Sequence, residues 1–481
     1  MKKKLLGILL NHYVISIFIS VIITFSILNL SANIFSKYIL KLEDEEYFGI
    51  NYRNYFVDLD GNNLSERIYC RTSIGQNASF IIYDDYGNLV DQWNIKENTA
   101  SSLNPYGFYD TDNNGFKEIY FITQKADSSF LNILEPFSKK GLNKEIRKVF
   151  IDTIHKFSNK FNFSAHGFKY GKCESEGVKE VYFTLYTGFG GYPRNIYKYN
   201  YRNNQISKSS HLTNVSFITE IADINNDGYD EIFFNNTSYG NKLDSVYTSK
   251  SDNSLWLNVI DTELNFLFKP IEFKVPFSEL KTFHFKYKNN SRIASLLNSA
   301  QKENTKSKLF VFTNKGEQIR ELDLPFGFHN FFLNSKKNGF VLYNSQDGSI
   351  KILDFILQEK SSTLIDSNSE LKTIDLNEDG INEWISISKS SNKFSIYPSD
   401  FSEKQTFEIP NKEYNFLSFG VKKSLKGNQL YVQKGRFLYL FSYKKNIYYY
   451  LKFVVFLTSF LVVLGFVLLI LKGQKIKLEK K

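Results

Sequence analysis

The sequence predicts an all-β protein, a seven-bladed or eight-bladed β-propeller flanked by two transmembrane helices. An acidic motif recurs at a period of about 53 residues, aromatic residues are abundant, and a long apolar stretch lies near each end.

A chain of 481 residues exceeds an ordinary single domain unless it forms a repeat array or a closed ring. Aromatics make up 17% of it, with 46 Phe and 31 Tyr, residues that favour pleated, half-buried surfaces. The net charge of +10 is concentrated in Lys2, Lys3 and Lys4 and in the lysines at 472, 475, 477, 480 and 481. The middle is close to neutral, which speaks against a nucleic-acid partner. Cys70 and Cys173 fall in different repeats and read as two buried thiols rather than a disulfide.

No Asp, Glu, Lys or Arg occurs between Lys4 and Lys37, and Tyr13 to Leu30 is mostly apolar. The run exceeds the core of a signal peptide and lacks a small-residue cleavage site, so 13–31 reads as an uncleaved signal anchor. The second stretch, Phe453 to Leu471, carries no charge, and Tyr448, Tyr449 and Tyr450 sit at its border as an interfacial aromatic belt would. Short basic segments stay in the cytoplasm, so 1–12 and the tail 472–481 are expected inside. Residues 40–446 then lie outside, between spans at 13–31 and 453–471.

Four segments of the middle superimpose without gaps, starting at Asp58, Asp110, Asp223 and Asp375. Each has oxygen-bearing side chains at positions 1, 3 and 5, Gly or Asn at position 6, and Glu at position 9. The sets are Asp58, Asp60, Asn62 and Glu66; Asp110, Asp112, Asn114 and Glu118; Asp223, Asn225, Asp227 and Glu231; Asp375, Asn377, Asp379 and Glu383. Alternating oxygen ligands in a tight loop suit Ca²⁺, which takes six to eight oxygens, better than Mg²⁺ with its strict octahedron. Position 6 is where such a loop needs a positive φ. Position 12 holds Tyr69, Phe121, Phe234 and Ser386 instead of the Glu of an EF-hand, and strand-forming sequence follows each loop.

A degraded copy begins at Lys172 and keeps Glu180 at position 9, with lysine where the first ligand belongs, so no metal is expected there. Fainter copies start near Arg292, Asn334 and Asn428. Strand–turn–strand segments follow several copies, as at Phe80 and Leu309, giving about four strands per unit, the content of a propeller blade. Dividing the middle region by the period gives seven or eight blades, and seven is the expectation. Asn143 to Asn162 reads either as an amphipathic helix or as two strands.

At these loops the chain resembles FG-GAP/VCBS-type propellers, including the integrin α-subunit headpiece. The resemblance implies that the side chains at positions 1, 3, 5 and 9 are calcium ligands. The order of anchor, propeller and second span also resembles the sensory half of Bacteroidetes membrane histidine kinases. It implies a bacterial inner-membrane protein with a periplasmic propeller. Any kinase would be a part beyond Lys481 or a separate partner.

The six histidines form no metal or catalytic spacing, and no nucleophile or nucleotide motif occurs, so the chain is not expected to be an enzyme. The expected function is a sensor whose propeller binds a glycan or protein ligand and signals through the second span. The alternative is a cell-surface protein that only adheres or assembles.

Overall fold

The computed structural model describes residues 12–30, 36–48, 52–71, 77–99, 106–137, 141–142, 144–153, 163–172, 179–187, 192–238, 240, 251–299, 307–325, 327–334, 339–377, 379–388, 392–409 and 416–479. Between two helices the regular structure of the described chain is almost all β-strand.

The strands pair in chain order. Tyr52–Val57, Glu66–Arg71, Asn77–Tyr83 and Leu89–Thr99 form an antiparallel up-and-down sheet. The next unit repeats it with Tyr106–Tyr109, Glu118–Lys125, Ser128–Leu134 and Arg147–Thr153. Residues 147–153, open between helix and strand in the sequence, are thus a strand, the outer one of this unit; 154–162 lie outside the described residues. The pattern recurs through 163–208, 278–324, 328–364 and 369–408. The stretch 215–273 departs from it. Val259–Ile260 pairs with Glu231–Ser238, while Leu255–Leu257 turns away to pair with Ile271–Phe273.

The final sheet contains Phe416–Lys422, Gln429–Lys434 and Phe437–Lys445, and its fourth strand comes from the start of the chain. Tyr38–Tyr47 runs antiparallel to Phe437–Lys445, from Tyr38 opposite Lys445 to Tyr47 opposite Phe437. Joining the first strand to the last sheet closes a ring of sheets and ties the chain ends together.

Packing follows the two-residue period of a strand. In Glu118–Lys125, Ile119 and Phe121 pack against Leu59, Ile68 and Phe80 of the preceding unit. Tyr120 and Ile122 point the other way, to Phe168, Phe183 and Tyr197 of the following one. The same alternation reaches the closure. Leu430 and Val432 join Ile385 and Phe394 of the unit before, whereas Tyr431 joins Phe48 and Phe56 at the first unit. The core is therefore a chain of clusters between adjacent sheets, and the described fold is a β-propeller. Cys70 is a free thiol buried in the Phe80 cluster, and burial pushes its pKa up; Cys173 lies outside the described residues.

Helix α1 spans His12–Leu30 and helix α2 spans Lys452–Glu479, and the two run against each other. Among the described residues, Ile447–Ile470 is the stretch long and apolar enough to cross a membrane. Phe453, Val462 and Phe466 stand more than two-thirds exposed on it, where a helix in water would carry polar groups. Asn446 joins the two stems. Its Nδ2 donates to the Ser36 carbonyl at 2.8 Å, its N–H donates to the Lys37 carbonyl at 2.9 Å, and its Oδ1 accepts from the Tyr448 N–H at 3.0 Å. The Tyr38 and Tyr443 rings stack beside it at 4.8 Å.

Candidate functional site: four acidic hairpins on one face

Each acidic segment joins the first and second strands of its unit with the same register. The residue before position 1 pairs with position 9 in Val57–Glu66, Tyr109–Glu118, Ala222–Glu231 and Ile374–Glu383. Strand direction alternates, so first-to-second loops all lie at one end of the sheets. Loops of adjacent units touch side by side. Lys117 N–H donates to the Leu59 carbonyl at 2.7 Å, and Ser65 N–H to the Lys423 carbonyl at 2.9 Å. Phe437–Lys445, the third strand of its sheet, runs toward this same end. The helix stems therefore leave from the face that carries the acidic hairpins.

The local sequence dictates the loop shape. Position 6 has positive φ in all four: Asn63 at 67°, Gly115 at 88°, Gly228 at 90° and Gly380 at 77°. Position 4 does too where described, in Gly61, Asn113 and Asn226. The position-1 carboxylate caps the turn. Asp58 accepts from the N–H groups of Gly61 at 2.8 Å and Asn63 at 3.2 Å, and Asp223 from Asn226 at 2.7 Å and Gly228 at 3.1 Å.

Glu at position 9 is buried in every copy and accepts from the N–H at position 2: Leu59, Thr111, Ile224 and Leu376. Those position-2 residues are buried as well. They anchor the loop, a role not read from the sequence although three of the four are aliphatic. Burial, followed by the charges of the neighbouring aspartates, pushes each of Glu66, Glu118, Glu231 and Glu383 up to about 7. Among the described residues no lysine or arginine forms an ion pair with these four glutamates. Each hairpin thus gathers carboxylates around a glutamate that no lysine or arginine among the described residues pairs with.

The first two loops gather that charge most closely. One oxygen each from Asp58, Asp60 and Glu66, and from Asp110, Asp112 and Glu118, lie within 4.8 Å of one another. Oxygens around one Ca²⁺ at about 2.3–2.6 Å are separated by no more than roughly twice that radius, so the groups fit a single ion. Glu66 Oε1 is buried with no hydrogen-bond partner, as is Asp375 Oδ1. In the other two loops the amides of Asn225 and Asn377 donate to Glu231 and Glu383, both at 3.0 Å. A cation there requires the amide to present its oxygen instead.

The degraded copy is solved differently. Gly171 pairs with Glu180 at the same hairpin offset, and 173–178 lie outside the described residues. Glu180 is buried, and Lys198 Nζ reaches its Oε2 at 3.1 Å. A lysine from the next strand, Tyr192–Asn200, thus supplies the positive charge beside Glu180. The expectation of no metal was based on Lys172; the residue that meets the carboxylate is Lys198.

First strands of consecutive units also bring together groups the sequence leaves scattered. Glu220 Oε2 accepts from the His284 backbone N–H at 2.7 Å. Burial raises Glu220 to about 6, and burial lowers Lys169, whose charge in turn draws Glu220 down.

No family model matches the chain, and no curated protein matches it. Among solved structures it is similar to the Dos1 propeller, at 9% identity and TM-score 0.46 over 84% of this chain and 95% of that one. It is also similar to the dihydro-heme d1 dehydrogenase NirN, at 10% identity and TM-score 0.47 over 81% and 75%. A third likeness is to BBS1N in complex with ARL6DN, at 7% identity and TM-score 0.43 over 84% and 97%. At TM-scores below 0.5 these likenesses carry no argument, and the fold rests on the strand pairing.

Proposed function

We propose that this is a membrane-anchored extracytoplasmic sensor, an eight-bladed propeller whose acidic hairpins hold structural calcium. The observation that carries it is the union of loop and stem. Leu376, at position 2 of the 375–383 hairpin, lies in one apolar cluster with Tyr38 and Tyr443, beside the Asn446 joint. A change in that loop would bear on the two strands that join the helices to the propeller. An adhesive protein needs no such coupling.

The same sheets support the blade number. Each fainter copy expected near Arg292, Asn334 and Asn428 corresponds to a second strand, Asn290–Ser299, Gly339–Asn344 and Gln429–Lys434. With the four acidic units and the Lys172 copy, that makes eight blades rather than seven. In this reading both α1 and α2 cross the membrane, with basic ends in the cytoplasm. The calcium assignment and the sensory layout follow the likeness to FG-GAP/VCBS propellers and to kinase sensor halves. A cytoplasmic kinase, as a partner or a further part, would receive the signal.

The test uses the full chain in nanodiscs, with fluorophores on non-natural residues at Ser26 and Thr458, both exposed on their helices. Chelating calcium is expected to change the distance between them, and Asn446→Ala to abolish that change while calcium still raises the melting temperature. An unchanged distance in the parent chain would leave the adhesive reading standing. Separately, a phosphatase reporter at Asn253 is expected to be active and one after Lys481 inactive; the reverse result overturns the topology.

A further inference from the structure

At the ring closure a cleft of about 640 Å³ opens between the first blade and the strand Tyr38–Tyr47. It continues into a second cavity of about 370 Å³, with Asp44, Ser65, Asp85 and Lys422 lining both. Cavities of this size hold small ligands.

Its walls combine aromatic faces with polar groups that lack partners. Arg67 is held by Glu46, whose oxygens accept from Nη1 at 3.0 and 2.8 Å, and by Asn54, whose Oδ1 accepts from Nε at 2.8 Å. Its guanidinium lies over the rings of Phe56 and Tyr69, at 5.9 and 5.4 Å. Nη2 is buried and has no hydrogen-bond partner. Asp85 Oδ2 is likewise buried and unpartnered. Lys422 Nζ stands 5.1 Å from the centre of Phe56, with no carboxylate at ion-pair distance among the described residues. At the mouth, Tyr86 is 74% exposed on a turn whose backbone is fixed by Asp84, which accepts from the N–H groups of Tyr86 at 3.0 Å and Asn88 at 2.7 Å. The platform is preorganised rather than loose.

The chemistry narrows the ligand. Arg67 and Lys422 need acceptors, while Asp85 needs a donor, and the three share one cleft. A simple anion is opposed by Asp44, Glu46 and Asp85, and a simple cation by Arg67 and Lys422. A hydroxyl both donates and accepts, and a polyol satisfies all three groups without net charge. The exposed tyrosine offers a flat apolar face to a ring's C–H groups.

We propose that this cleft binds a neutral glycan, with one sugar ring on Tyr86 and its hydroxyls bridging Arg67, Lys422 and Asp85. This rests on the sensor reading and names the site of its ligand. One wall of the cleft is the strand that leads to α1, so an occupant bridges the first blade and the stem.

The experiment is saturation-transfer NMR and calorimetry on the full chain in nanodiscs free of sugar detergents. The probes are neutral hexasaccharides of glucose, mannose, galactose and xylose, with a hexauronate and free glutamine as contrasts. At least one neutral sugar is expected to bind with a sub-millimolar Kd. Tyr86→Ala and Asp85→Asn are each expected to weaken it about tenfold, the loss of roughly one stacking or charged hydrogen-bond contact. The melting temperature of Tyr86→Ala stays unchanged because the side chain is exposed. Absence of sugar binding at millimolar concentration overturns the proposal, and so does binding indifferent to both substitutions. Preference for the uronate or for glutamine overturns the neutral-glycan assignment. Calcium-dependent melting on the same samples keeps the two readings apart: if calcium still stabilises a chain that binds no sugar, the cleft inference alone has failed.

Discussion

Millimolar calcium at neutral pH is expected to raise the melting temperature of the protein, and EDTA to remove the increment. An ion bound only by the folded state adds RT ln(1 + [L]/Kd). For sites of roughly 10⁻⁴–10⁻³ M, typical outside the cell, about 2 mM calcium contributes roughly 0.6–1.8 kcal/mol per hairpin, several in total. The pH dependence is the sharper readout. Glu66, Glu118, Glu231 and Glu383 are pushed up to about 7 in the folded chain by burial. In the unfolded chain they titrate at about 4.3. The folded state without metal therefore binds more protons, and in EDTA stability is greatest below about pH 4.5 as far as these four groups decide it. It falls as pH rises through about 7. Calcium replaces those protons, so the calcium increment is expected to be largest near pH 8 and to shrink toward pH 5. Asp60→Ala, which breaks a three-carboxylate group, is expected to reduce the increment; Lys172→Ala is not. An EDTA-insensitive melting curve at pH 8 would reduce the hairpins to ordinary turns.

Much of this arrangement was legible because it is local. The φ requirement at position 6 and the strand after each loop depend on a few adjacent residues, and Asn63, Gly115, Gly228 and Gly380 meet it. What escaped depends on contacts between distant segments. Nothing near Tyr38 shows that its strand completes a sheet that begins at Phe416, because the pairing closes over almost the whole chain. Counting blades by period is blurred for the same reason: the last unit borrows its outer strand, and the 215–273 unit breaks its third. The cleft draws Arg67, Tyr86 and Lys422 from opposite ends of the sequence, so no spacing pattern marks it. Asn446 in sequence is one polar residue before an apolar run; only the fold gives it Ser36 and Lys37 as partners.

Lys198→Met is expected to destabilise the protein by about 3–5 kcal/mol, whether or not calcium is present. Glu180 and Lys198 have side chains only 4% and 19% exposed, and the ammonium also donates to the Thr262 carbonyl at 2.8 Å. Removing one partner of a buried pair leaves the other charge desolvated and uncompensated, which costs far more than the net worth of the pair. Among the described residues the other donors to Glu180, Asn200 Nδ2 at 2.9 Å and the Tyr182 hydroxyl at 3.3 Å, are neutral and cannot replace the cation. Glu180→Gln in the Lys198→Met background is expected to recover most of the loss, because a neutral amide is cheaper to bury than a carboxylate. Under the calcium proposal the four acidic hairpins take their positive charge from solution, whereas Glu180 meets a lysine. Calcium should therefore rescue nothing in Lys198→Met. If it restored the melting temperature, the hairpin at 172–180 would itself be a metal site held shut by its lysine, and the division between lysine-filled and ion-filled blades would fall.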